Sequence, residues 1–236
     1  MATATPCISL KLVTATALSV YTYGTGNNAN VGQYGDSNSA SIEQEGDYNG
    51  YYYAYYGYGA TISQTGNSNV ASIDQEGYAN YWAYINQYGN NNAAYQYQYG
   101  DYNYASVYQY GDNDYAYSYQ YGSNNGVSFT QYNYGYETTY GNVLYASQYG
   151  YANSLYGYQY GDANYASASQ YGDYNYAGIY QYGFANGAYV SQSGYSNGAY
   201  VSQSGDYNSA GISQYGNYNY ATISQSGYGN TAYVAQ

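Results

Sequence analysis

The sequence predicts an all-β protein, a β-solenoid of stacked two-strand β-arches. Three observations predict it. Gln recurs at eleven-residue steps through most of the 236 residues, a Gly and an Asn follow most of these Gln at fixed distances, and the residues after the Asn alternate with period two. The unit reads QxGxxNxAxΦx, with Φ usually Ile or Val, as in Gln33, Gly35, Asn38, Ala40 and Ile42. An eleven-residue period can also mark a right-handed helical supercoil, but a Gly in every unit would break such a helix each third turn. Strands fit instead.

The stretch from Asn to the next Gln is a strand of six or seven residues, with Asn, Ala, Φ and Gln on one face. GxxN is the turn, with Gly for its backbone freedom and Asn for its preference for turns and left-handed backbone. Two units return the chain to its starting edge. One coil therefore takes 22 residues, and each strand stacks in parallel on the strand one coil away.

In chain order, 17–22 is the first strand, with Leu18 and Val20 inward. A diverged unit starts at Thr22 and keeps Gly24, Asn27, Ala29 and Val31. Regular units start at Gln33 and Gln44; a second diverged one starts at Tyr55, keeps Gly57, Ala60 and Ile62, and lacks the Asn. From Gln64 the register has two interruptions, one extra residue after Asn80 and a six-residue expansion between Gln131 and Asn142. Both fall at the turn, where a surface loop tolerates changes of length. The last unit starts at Gln225 and runs to Gln236, giving roughly nineteen units, about twenty strands and about ten coils. Residues 17–236 form the repeat domain; residues 1–16 read as a leader or targeting segment, with an apolar centre and the small-residue triplet Ala15-Thr16-Ala17.

Composition suits a thin interior. Tyr supplies 50 residues and Gly 31, against two Phe, one Trp and one Met. Without His there is no ordinary Ser-His or Cys-His nucleophile and no imidazole metal site. The carboxylates form no recognisable catalytic pair, so neither enzyme activity nor a cofactor is expected. Cys7, the single Cys, has no partner for an internal disulfide. A net charge of −12 with one basic residue opposes nucleic-acid binding, and no run approaches the roughly 20 apolar residues of a membrane helix.

The inward amides are the candidate site. Strands about 4.8 Å apart place identical carboxamides above one another, where each donates and accepts along the stack. Gln159, Gln170, Gln181, Gln192, Gln203, Gln214 and Gln225 fall on two such ladders, Gln192 with Gln214 and Gln203 with Gln225. Asn164, Asn175, Asn186, Asn197, Asn208, Asn219 and Asn230 fall on two more. Tyr takes the outward positions, Tyr171 and Tyr182 among them. Asp residues after the turn Gly, such as Asp162 and Asp173, never fall in adjacent coils on one edge, which avoids stacking like charges.

The repeat as it stands at Gln203, Gly205, Asn208, Ala210 and Gln214 closely resembles the curlin repeat of bacterial curli, and the likeness runs over residues 22–236. The resemblance implies a β-solenoid subunit of a secreted functional amyloid in a biofilm matrix. It also implies export through an outer-membrane secretion pore and growth templated by a nucleator subunit. Lacking a basic C-terminal region, the chain resembles the major subunit more than the nucleator. The expected partner is a second copy, head to tail, through open strand edges carrying Leu18 and Val20 at one end and Val234 and Gln236 at the other. Two alternatives stay open: a Tyr/Gly/Gln-rich disordered protein that phase-separates, and a solenoid that binds a surface or glycan through outward Tyr.

Overall fold

The computed structural model describes residues 7–13, 17–49, 59–133 and 140–236, and among these residues there are twenty strands and no helix. The first ten are β1 (Cys7–Val13), β2 (Ala17–Tyr23), β3 (Asn28–Tyr34), β4 (Ser39–Glu45), β5 (Ala60–Thr65), β6 (Val70–Glu76), β7 (Trp82–Tyr88), β8 (Ala93–Tyr99), β9 (Tyr104–Tyr110) and β10 (Tyr115–Ser123). The others are β11 (Gly126–Tyr132), β12 (Val143–Tyr151), β13 (Ser154–Tyr160), β14 (Tyr165–Asp173), β15 (Tyr176–Tyr182), β16 (Gly187–Tyr195), β17 (Gly198–Asp206), β18 (Ser209–Tyr215), β19 (Tyr220–Tyr228) and β20 (Thr231–Ala235). Odd-numbered strands make one ten-stranded sheet and even-numbered strands another, each in chain order and parallel throughout. The chain is a β-solenoid with coils of about 22 residues, seen where Gln181 lies opposite Gln159 on one side and Gln203 on the other.

Period-two alternation decides which side chains enter the narrow space between the sheets. Ala177, Ala199, Ile179 and Val201 are essentially inaccessible to solvent. Each buried Ile or Val contributes roughly 1.5–3 kcal/mol, so a core only two apolar residues wide is stabilised by its length.

Three features differ from the sequence expectation. First, β1 lies inside the segment read as a leader and pairs along its length with β3, from Cys7 opposite Asn28 to Val13 opposite Tyr34. The triplet's Ala15 and Thr16 lie outside the described residues. Second, the unit expected from Tyr55 supplies a strand, β5, with Ala60 and Ile62 buried, but in the sheet of β3, where strict alternation of units would put it with β4. Strands β4 and β5 are consecutive, Ala60 pairs with Ala29, and the Asn49 N–H donates to Asn27 Oδ1 at 2.9 Å. Residues 50–58, with Tyr55 and Gly57, lie outside the described residues. That stretch has no Gln to enter a ladder and no Asn to close a turn, so register is recovered only at Ala60. The chain re-enters through Gly59, where a Cβ would collide with the Asn28 carbonyl; Gly141 does the same after the expansion, against Asn113.

Third, the turn Asn is not the left-handed residue. In 205–208, φ is +102° at Gly205 and +57° at Tyr207, and the second of these recurs before most turn Asn residues, at Ala185, Ser196 and Tyr218 among others. A non-glycine residue there costs about 1–2 kcal/mol. Bonds between coils offset it, the Tyr207 N–H donating to the Phe184 carbonyl at 2.9 Å.

Candidate functional site

Each inward Gln reaches along the stack and across it. Gln159 Nε2 donates to Gln181 Oε1 at 2.9 Å, Gln181 to Gln203 at 2.9 Å and Gln203 to Gln225 at 2.9 Å. On the facing sheet Gln170 donates to Gln192 at 2.9 Å, Gln192 to Gln214 at 2.9 Å and Gln214 to Gln236 at 3.1 Å. The same NH2 group crosses to the other sheet, as Gln181 does to the Tyr165 carbonyl at 2.9 Å and Gln203 to that of Gly187 at 3.0 Å. One side chain thus closes a longitudinal chain and seals the end of an arch. An amide buried without these partners would cost about 1–3 kcal/mol.

The Asn ladders run the other way. Asn186 Nδ2 donates back to Asn164 Oδ1 at 3.0 Å, Asn208 to Asn186 at 3.0 Å and Asn230 to Asn208 at 2.9 Å. Asn197 donates back to Asn175 at 3.0 Å, and the Asn219 N–H donates to Asn197 Oδ1 at 3.0 Å. Asn164 and Asn186 also donate forward to the carbonyls of Gly183 and Gly205, at 2.8 and 2.7 Å. These carbonyls lie so close to the preceding coil that a Cβ on Gly183 would collide with the Gly205 oxygen.

A further ladder escapes sequence reasoning. Where the next coil carries Asp or Asn after its turn Gly, the residue after the turn Gly presents its N–H to that side chain: Tyr151 to Asp173 at 2.9 Å, Phe184 to Asp206 at 2.9 Å and Tyr195 to Asn217 at 2.9 Å. Asp47, Asp101, Asp112, Asp173 and Asp206 are therefore turn acceptors as well as solubilising charges. Their signal was the recurrence of Asp or Asn at this one position. At Asp47 the Thr25 backbone and hydroxyl bonds hold the carboxyl below its ordinary range.

The ladders have one acidic member. Asp114 occupies an Asn position between Asn92 and Asn142, accepts the Asn142 N–H on Oδ1 at 2.8 Å, and has no partner for Oδ2. Burial pushes its pKa up to about 7, with Asp162 and Asp112 adding to the rise and the Asn142 bonds opposing it. Among the described residues no group of three or more His, Cys, Asp or Glu is gathered to hold a metal ion, and no helix is long and apolar enough to cross a membrane.

Outside, Tyr rings follow the strand spacing. Tyr110 and Tyr132 stack at 4.8 Å and 8°, whereas most neighbours tilt, as do Tyr97 with Tyr117 at 5.6 Å and Tyr180 with Tyr200 at 5.2 Å. Such contacts contribute about 0.5–1.5 kcal/mol each beyond burial. Partial burial, then Tyr145 and Tyr95, push the Tyr115 phenol up to about 12.

The sheet edges in this structure are β1 and β2 at one end and β19 and β20 at the other. Leu18 and Val20 sit half-buried on β2, Val234 half-buried on β20, and Gln236 exposed just beyond it. The interior is tight up to the last coil, where Gln225 rises to 8 % exposure.

The family model of the curlin associated repeat matches residues 20–50, 66–100, 83–111, 100–132, 158–183, 172–205, 185–216 and 216–236. Between the matches, 51–65 holds the Tyr-rich stretch without a ladder Gln before Gln64, and 133–157 holds the six-residue expansion and the coil in which Leu144, Leu155 and Gly157 replace the usual Ala and Ile or Val. No curated protein matches the chain. Matches over most of the chain, on a solenoid whose fixed Gln, Gly and Asn each have a defined place in the stack, show that the chain belongs to the curlin associated repeat family.

Proposed function

We propose that this chain is a self-assembling structural subunit of an extracellular amyloid-like fibre of the biofilm-matrix kind, acting in adhesion and not in catalysis. The observation that carries the reading is that at one end of the structure the sheets stop at β19 and β20, whose outer backbone groups and ladder amides, Gln225 and Gln236, are those of an interior coil. An edge of this kind templates the addition of another strand. Family membership supports a structural, non-enzymatic role. The same membership supports secretion, with a nucleator subunit and an outer-membrane pore as further partners. Outward Tyr then lies on the fibre's flanks, available for lateral contact.

The test is direct. Purified protein incubated at high concentration gives thin unbranched filaments with a meridional reflection near 4.7–4.8 Å. A monodisperse monomer that persists for days would sink the reading.

A further inference from the structure

The first coil differs from every later one at its ladder positions. Leu12 stands opposite Gln33 and Thr22 opposite Gln44, where all subsequent coils carry Gln. Gln33 and Gln44 are fully buried, and the carboxamide oxygen of each has no hydrogen-bond partner. In the next coil the corresponding oxygens are satisfied, Gln64 Oε1 by Gln33 at 2.8 Å and Gln75 Oε1 by Gln44 at 2.9 Å. Two buried acceptors thus face a coil that has no amide to give them.

The matching donors lie at the other end. Gln225 and Gln236 each use Nε2 to reach across the arch, to Ser209 at 2.9 Å and Tyr220 at 3.3 Å. A carboxamide NH2 carries two hydrogens, and the ladder direction sends the second toward the coil that would follow. Continuing the observed register from β19 to β3 places Gln225 on Gln33, Ala221 on Ala29 and Ile223 on Val31. Continuing it from β20 to β4 places Gln236 on Gln44 and Val234 on Ile42. A seam made through the first coil would instead set Gln225 against Leu12 and bury an N–H without an acceptor.

We infer that copies join with β19 and β20 of one against β3 and β4 of the next, and that β1 and β2 form a lid which leaves this edge before docking. The inference rests on the fibre reading and deepens it. The seam then lies one coil inside the edge carrying Leu18 and Val20, and the incoming copy supplies the two amides that the lid lacks. Assembly is a strand exchange in which a mismatched coil gives way to a matched one.

The full-length chain, with Cys7→Ala as background, tests this in two ways. Ser9 and Asn30 are register partners, and adjacent strands about 4.8 Å apart lie within the Cα range of a disulfide. Ser9→Cys/Asn30→Cys therefore locks the lid when oxidised. Locked monomer should extend preformed filaments at least about tenfold more slowly than the same protein after reduction, because a lid held shut removes the competent fraction. Equal rates would overturn the inference.

The second test maps the seam. Thr222→Cys/Asn30→Cys should give intermolecular disulfide multimers in filaments, and Thr222→Cys/Ser9→Cys should not; the reverse pattern overturns the inference. Filaments that form with neither cross-link also overturn it while leaving the fibre reading intact. Failure of the parent chain to form filaments removes the fibre reading and the seam with it.

Discussion

Strands β15 to β19 and strands β8 to β13 follow the same plan with different interiors. In the former every strand carries Ala and then Ile or Val, from Ala177 and Ile179 to Ala221 and Ile223. In the latter β9 keeps Ala105 and Val107, but the same two positions elsewhere hold Ala94 and Gln96, Ala116 and Ser118, Val127 and Phe129, Leu144 and Ala146, and Leu155 and Gly157. The ladder Gln persists through both. Apolar identity is negotiable between neighbouring coils, because a large side chain in one can fill the space left by a small one in the next. Phe129 does so beside Gly157, where an added Cβ would crowd the Phe129 ring and Leu144. The ladder Gln is not negotiable between these two regions, since each carboxamide is both donor and acceptor for its neighbours.

Four substitutions sharpen that contrast. The largest effect is expected in the regular region from Gln181→Lys, which buries an unpaired charge in a ladder and should cost on the order of 5 kcal/mol. Amide exchange read coil by coil should show protection lost at β13 to β17 first; uniform protection would mean that the side chain escapes the interior.

Asp114→Asn should restore the amide that the central ladder lacks, and its benefit should depend on pH. Burial raises the folded-state pKa from 3.8 to about 7, so the native contribution is fully present below 3.8 and is lost as pH rises through about 7. Urea midpoints of the wild type should fall between acid and mildly alkaline solution by an amount on the order of 3 kcal/mol, and those of Asp114→Asn by much less. Parallel profiles for the two proteins would place the titration elsewhere, with Asp162, which burial also raises, as its source.

Gly157→Ala should cost about 1–3 kcal/mol by overpacking, and Phe129→Leu in the same chain should recover part of it. Additive effects in that cycle would show that the two positions do not share space. The smallest change is Gln96→Ile, which replaces a buried side chain whose Oε1 has no partner with the residue common at this position elsewhere. A gain of about 1 kcal/mol is expected in the urea midpoint, at the cost only of the 3.0 Å bond to the Tyr84 carbonyl.

Much of this architecture was legible because repetition makes one local preference act many times. The spacing of Gln192 and Gln214 sets them one coil apart, and the alternation after Asn197 turns Ala199 and Val201 inward with it. What stayed hidden depends on neighbours that no single unit contains. The left-handed residue at Tyr207 is held by a bond from the preceding coil, so its identity carries little signal. The role of Asp206 as acceptor of the Phe184 N–H is likewise set across coils. The partial motif at Tyr55 marked β5, with Ala60 and Ile62 inward, but not its sheet, which the pairing of Ala60 with Ala29 decides. Strand β1 was hidden by its exceptions, Leu12 in place of Gln above all.

The opposed directions of the two amide ladders have an electrical consequence. Gln oxygens face the preceding coil and Asn oxygens the following one, so the side-chain dipoles of each coil largely cancel, as strand dipoles do in a sheet. A solenoid in which both ladders pointed the same way would accumulate potential at its tips with every coil added. This one does not, so the amide ladders add no net dipole to the tip that an arriving copy meets.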